Sequence, residues 1–201
     1  MKEIKKEELQ EIKELLIIID SIKGFMETGP LADKKVAGIV PEIKRLADEF
    51  TTDEKGIVIF KDAHTIDSEE FRALNLPAHA IIGTEETESM EELKPFEKNA
   101  YIINKNSTCG LFGEDMKFIK MLNMMPKLVK LIVTGCELDM CVFDFAKTTK
   151  CYLNEKNRKV DVIIPENATD TFDSEFHNRE EYSGYAKKLL LQSGVKFVKK
   201  F

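Results

Sequence analysis

The chain has 201 residues, 43% of them hydrophobic and 33% charged, with a net charge of −6. That length suits one domain spanning 1–201 that buries roughly 70% of its unfolded surface. Acids and bases are intermixed and no clustered positive face is visible, so the composition argues against a nucleic-acid partner.

The opening, Met1 to Lys13, interleaves lysines with glutamates and reads as a charged helical extension. The apolar run that follows, Leu15 to Ile19, is far too short to cross a bilayer and ends in a carboxylate. With no export signal or membrane anchor, a cytoplasmic location is expected. The four cysteines, Cys109, Cys136, Cys141 and Cys151, are then expected to stay reduced. None forms a Cys-x-x-Cys pair, which argues against a thiolate zinc site.

Strands are predicted at Leu15 to Ile19, Gly56 to Phe60, Ala100 to Ile103, Val129 to Thr134, Val160 to Ile164 and Lys196 to Val198. Helices are predicted between them at about Ala32 to Phe50, Asp115 to Met124, Met140 to Asn154 and Glu175 to Ser193. Pro41 either kinks the first of these or restarts it after Val40. The alternation implies an α/β fold: a doubly wound, mostly parallel six-stranded sheet with helices on both faces. Thr65 to Asn99, acidic and broken by Pro77 and Pro95, lacks a period and reads as a long functional loop.

Two of the three histidines stand close to two carboxylates, in Asp62-Ala63-His64, Glu70 and His79. Oxygen and imidazole donors at the carboxyl end of a buried strand suit a divalent metal ion. An Asp-x-His tripeptide is also common in capped or solvated loops. Three more residues fall at strand ends: Asp20, Lys105 and Cys141. In a parallel sheet these ends share one edge, so an acid, a cation and a thiol can converge there.

These motifs together resemble the isochorismatase-like cysteine hydrolases, the family that includes nicotinamidases. Leu15-Leu16-Ile17-Ile18-Ile19-Asp20 followed by Phe25 is similar to the first strand with its catalytic acid and nearby phenylalanine. Lys105 matches the catalytic lysine, and Thr134-Gly135-Cys136-Glu137-Leu138-Asp139-Met140-Cys141-Val142 resembles the loop that carries the nucleophile. Asp62, His64 and His79 match metal-ligand positions of the nicotinamidase branch, and Glu70 resembles a fourth ligand found in some members. The resemblance spans about Leu15 to Val198.

It implies that Cys141 attacks a carboxamide, Asp20 moves the protons and Lys105 stabilises charge. It places an oxyanion hole at the N–H groups of Glu137 and Cys141, with a cis peptide at Cys136-Glu137. A free thiol is only about 3% ionised at pH 7, so full ionisation gains at most about 30-fold. Positioning and the oxyanion hole must supply more. One divalent metal ion, zinc, iron or manganese, is implied as an orienter of the substrate ring. A homo-oligomer acting on a small-molecule amide is implied as well.

The chain departs from the family at the pocket. Leu76 stands where nicotinamidases usually place an aromatic, leaving Phe25 to cover the ring, and Leu138 replaces a small or hydroxyl residue. N-carbamoyl compounds and ureides are alternative substrates, and a non-catalytic binding homologue is a competing class. The complete set of Asp20, Lys105 and Cys141 argues against a mere binder. His177 reads as a structural or solvated residue at a helix start, Cys109 as packing, and Cys136 and Cys151 as small apolar fillers. The methionines, Met121, Met124 and Met125 among them, read as core.

Overall fold

A computed structural model describes residues 4–201. In chain order the regular elements are α1 (Lys6–Glu11), β1 (Glu14–Ile19), α2 (Lys23–Met26), α3 (Val40–Asp48), β2 (Lys55–Asp62), α4 (Glu69–Ala73), β3 (Tyr101–Lys105), α5 (Gly113–Asn123), β4 (Lys130–Gly135), α6 (Cys141–Glu155), β5 (Asp161–Pro165), α7 (Arg179–Gln192) and β6 (Lys196–Val198). The strands form one parallel sheet in the order β3-β2-β1-β4-β5-β6. This is the doubly wound sheet predicted from the alternation of apolar runs.

The sheet is apolar on both faces because helices cover both. Leu15, Ile17 and Ile19 of β1 pack with Phe118, Phe145 and Leu190, from α5, α6 and α7. The alternate residues, Leu16 and Ile18, pack with Ile43 and Leu46 of α3. Two-residue periodicity in the strand therefore assigns each side chain to one of two cores. Full burial of each such aliphatic side chain contributes about 1.5–3 kcal/mol.

Several expected boundaries shift. The segment from Ala32 to Phe50 is not one helix: a 3-10 turn over Val36–Ile39 leads into α3, with Pro41 in the first helical turn, where its missing N–H costs nothing. The last helix starts at Arg179 rather than Glu175, capped by the Asn178 side chain, so His177 lies ahead of it in a loop. The long stretch after β2 contains α4 and two 3-10 turns, Glu85–Thr87 and Lys94–Phe96. Of the helical extension expected over Met1 to Lys13, residues 1–3 lie outside the described residues, and the described helix is α1. Among the described residues no helix is long and apolar enough to cross a membrane.

Candidate active site

The order of strands reverses between β1 and β4, and the crevice at such a switch point is where open α/β sheets bind ligands. Asp20 follows β1 and the turn from Gly135 to Cys141 follows β4, so both reach this crevice. Gly135, at φ +107°, lies so close to β1 that a Cβ would sit 1.9 Å from the Ile19 carbonyl oxygen. No other residue fits there. Asp20 also has a positive φ, 48°. Its N–H donates to the Phe60 carbonyl, and its own carbonyl accepts from Cys136 Sγ at 3.2 Å. Cys136 is therefore more than an apolar filler. The peptide between Cys136 and Glu137 is cis.

Lys105 ends β3 opposite Asp62 of β2. Its buried Nζ lies 2.7 Å from Asp20 Oδ2, 2.5 Å from Asp62 Oδ1 and 3.5 Å from Cys141 Sγ. The structure thus brings Asp20, Lys105 and Cys141 into one cluster. Asp20 Oδ1 accepts from the Asp62 N–H at 2.8 Å, which turns Oδ2 toward the lysine. Burial, reinforced by Asp62 and opposed by Lys105, pushes the Asp20 carboxyl up to about 7. Burial alone would lower Lys105, but Asp20, Asp62 and Cys141 outweigh it and hold the ammonium charged. Burial raises the Cys141 thiol, with Lys105 pulling the other way. Cys141 is the first residue of α6, so its N–H has no acceptor within the helix and the positive helix end favours a thiolate.

The second cluster comes from the segment after β2. Donor atoms of Asp62, His64 and His79 lie within 4.8 Å of one another. Glu70 stands outside this closest group, with Oε1 3.9 Å from His64 Nε2 and Oε2 accepting from the Thr108 N–H. His79 Nδ1 sits 2.9 Å from the Pro77 carbonyl oxygen, and burial lowers its pKa. A carbonyl only accepts, so Nδ1 carries the proton and Nε2 presents a lone pair, 4.0 Å from Asp62 Oδ2. His64 Nδ1 faces Asn106 Oδ1 at 2.9 Å, and its buried Nε2 has no hydrogen-bond partner. Two oriented imidazole nitrogens aimed at a carboxylate fit a divalent cation. A second trio of donors, Asp20, Asp62 and Cys141, surrounds the Lys105 ammonium, which already supplies its positive charge.

Both clusters open onto a cavity of about 350 Å³ whose lining includes Phe25, Leu76, His79, Glu137, Cys141 and Phe172. Phe25 packs against the His79 ring at 5.6 Å between centroids. Glu137 is buried, its carboxyl has no hydrogen bond of normal geometry, and burial pushes it up to about 8 even though Thr171 and the Phe172 N–H favour its ionised form. Sequence reasoning missed the groups that orient the imidazoles. Asn106 beside Lys105 and Pro77 two residues before His79 were available as signals, since metal-ligating histidines place their other nitrogen on such acceptors. It also missed a bond between His177 and Asp139, 2.7 Å long and spanning 38 residues. Cys151, expected as core filler, is exposed on α6, whereas Cys109 is buried in the core cluster as expected. All four cysteines are free thiols. Met121 and Met125 are core residues, and Met124 packs partly against them.

A parallel sheet with this strand order and a thiol, acid and ammonium at its switch point defines the class of isochorismatase-like hydrolases. The chain belongs to that family: the profile described as "Isochorismatase domain" matches residues 14–181. Among characterised proteins it is similar to Nicotinamidase 1 of Arabidopsis thaliana, 30% identical over 186 residues that cover 84% of this chain and 74% of that protein. Its fold is shared with an N-carbamoylsarcosine amidase of Thermoplasma acidophilum, at TM-score 0.71 and 19% identity over 92% of this chain and 95% of that one. The pyrazinamidase of Pyrococcus horikoshii in complex with zinc superposes at TM-score 0.70 and 21% identity, over 94% and 99% of the two chains.

Proposed function

We propose that the protein is a metal-containing cysteine amidohydrolase that deamidates nicotinamide, or a similar heteroaromatic carboxamide, to the acid and ammonia. The observation that carries this reading is the position of Lys105 Nζ, between Asp20 and Cys141 on one side and the Asp62 end of the imidazole cluster on the other. A nucleophile and an orienting cation thereby face one small cavity. The 30% identity to a nicotinamidase supports the same substrate class.

In this mechanism Asp20 takes the Cys141 proton as Sγ attacks the carboxamide carbon and a C–S bond forms. The N–H groups of Glu137 and Cys141 receive the negative charge on oxygen. As the intermediate collapses the C–N bond breaks, and ammonia leaves with the proton that Asp20 returns. Water then attacks the thioester while Asp20 accepts its proton and a C–O bond forms; the C–S bond breaks, Asp20 returns the proton to Sγ, and the acid departs. Asp62, His64 and His79, with Glu70 at the edge, would hold the divalent ion. When bound, the ion supplies a Lewis-acid contact for a ring nitrogen and so orients the substrate. Phe25 covers the ring.

Leu76 on the cavity wall favours one competing reading, because an aliphatic side chain provides no stacking face for a ring. N-carbamoyl and ureide compounds are its substrates. Ammonia release measured across nicotinamide, pyrazinamide, N-carbamoyl amino acids and ureides tests both. The expected result is the highest kcat/KM for a heteroaromatic amide. Faster turnover of a carbamoyl compound transfers the assignment to that class, and release from none overturns both.

A further inference from the structure

The turn that would bind the oxyanion contains two acids, Glu137 and Asp139, close in sequence to the N–H groups that would face the negative charge developing on the substrate oxygen. An ionised carboxylate fixed in that turn opposes the transition state, most strongly where water is excluded. Asp139 is nearly buried and has two partners. Thr171 Oγ1 donates to one oxygen, and His177 Nε2 lies 2.7 Å from the other. The second ring nitrogen of His177 faces the Phe172 carbonyl oxygen at 3.1 Å. Both partners are acceptors, so the ring satisfies them together only as a doubly protonated imidazolium.

The aromatic setting suits a cation. His177 is sandwiched between Phe172, centroids 3.8 Å apart at 14°, and Tyr182, 3.9 Å apart at 28°. Phe172 also lines the cavity, so one side chain ties the cavity wall to the nucleophile turn. Other charged groups near the turn do not replace it. Asp170 pairs with Arg179, which is shared with Asp33, and the Glu137 carboxyl has no cationic partner among the described residues.

We propose that His177 is a positioning residue that acts through Asp139: it supplies the countercharge that offsets the Asp139 carboxylate in the oxyanion-binding turn. This rests on the thiol and oxyanion reading of the site but not on which amide is the substrate. It therefore calls for probes that do not depend on amide specificity.

Two reagents separate the roles of His177. With p-nitrophenyl acetate, Cys141 Sγ attacks the ester carbonyl, a C–S bond forms, the C–O bond breaks and p-nitrophenolate leaves; the thiol proton goes to Asp20, and an oxyanion forms on the way. With iodoacetamide, a C–S bond forms and iodide leaves without an oxyanion. In the metal-containing protein His177→Gln is expected to slow acylation about tenfold, equivalent to about 1.4 kcal/mol. Alkylation is expected to change by less than about twofold, because no oxyanion is involved.

The double variant Asp139→Asn/His177→Gln removes charge and countercharge together and is expected to acylate within about threefold of wild type. Equal slowing of both reagents, or a double variant as slow as His177→Gln, overturns the proposal. Should His177→Gln fail to fold, nitrogen-resolved NMR of the wild-type histidine rings under the acylation conditions decides: both His177 nitrogens are expected to donate, to Asp139 and to the Phe172 carbonyl, and a lone pair on either nitrogen overturns it. Failure of the nicotinamide reading would appear separately, as absence of ammonia release with acylation intact.

Discussion

Around Lys105 the buried charges are matched within the chain, whereas beside them His64 Nε2 is buried with no hydrogen-bond partner. In the first region one ammonium lies within 2.7 Å of two carboxylates, and each charged group has its partner. In the second, two imidazole nitrogens and a carboxylate face one another, and none of the cavity-lining residues is a Lys or Arg. Asp62 belongs to both, giving Oδ1 to Lys105 and pointing Oδ2 toward His79. One half is thus complete as folded, and the other is the half that the proposed metal would complete. A buried polar atom without a partner costs free energy, and imidazole lone pairs aimed at a carboxylate suit a cation that would satisfy them.

The most severe break of this contrast is Cys141→Ala. It deletes the proposed nucleophile yet touches no proposed metal ligand, so hydrolysis is expected to vanish while metal content and melting behaviour stay near wild type. Elemental analysis beside an ammonia assay checks this. Near-native turnover would end the covalent mechanism.

Asp20→Asn is next. It preserves size but cannot take the thiol proton, and turnover is expected to fall at least about a hundredfold. The change also leaves Lys105 facing one carboxylate instead of two. Steady-state kinetics combined with iodoacetamide labelling would expose a purely structural Asp20, since both rates would then stay unchanged.

His79→Ala probes the incomplete half. Purified protein is expected to hold about one equivalent of a transition metal, and this variant to lose most of it. KM for the amide should rise markedly while alkylation of Cys141 stays largely intact, because the proposed cation would orient substrate without acting on the thiol cluster. Full turnover by metal-free wild-type protein would reduce the imidazole cluster to a structural feature.

The mildest test concerns Glu137, a buried acid matched by neither a lysine nor the proposed metal. Its carboxyl is raised from an ordinary 4.5 to about 8, so the folded state holds the proton more tightly than the unfolded chain. The stability it contributes is full below about 4.5 and is lost as the pH rises toward 8. Wild-type Tm should therefore decline across that window, and Glu137→Gln should flatten the decline. Calorimetric melts of both proteins at several pH values measure it. Parallel curves would show that Glu137 does not titrate as its burial requires.

Much of this was legible in the sequence, for local reasons. Runs such as Leu15 to Ile19 fix a buried strand because β-branched and aliphatic residues suit a pleat covered on both faces, and alternation with helical segments then makes the sheet parallel. A parallel sheet puts every strand end on one edge, which is why Asp20, Lys105 and Cys141 stood out before any distance was known. Helix limits were less legible. Residues 32–50 keep a helical composition, but Ala32 and Asp33 line the cavity and a 3-10 turn precedes α3.

The pairing of polar groups distant in sequence was fixed by packing alone. Asn106 reaches His64 across 42 residues, His177 reaches Asp139 across 38, and Asp62 divides its two oxygens between ammonium and imidazole. Periodicity records which face of an element is apolar, because burial of surface is non-directional and summed along the chain. A hydrogen bond depends on the position and angle of two specific atoms, and those are set only when separate elements have packed.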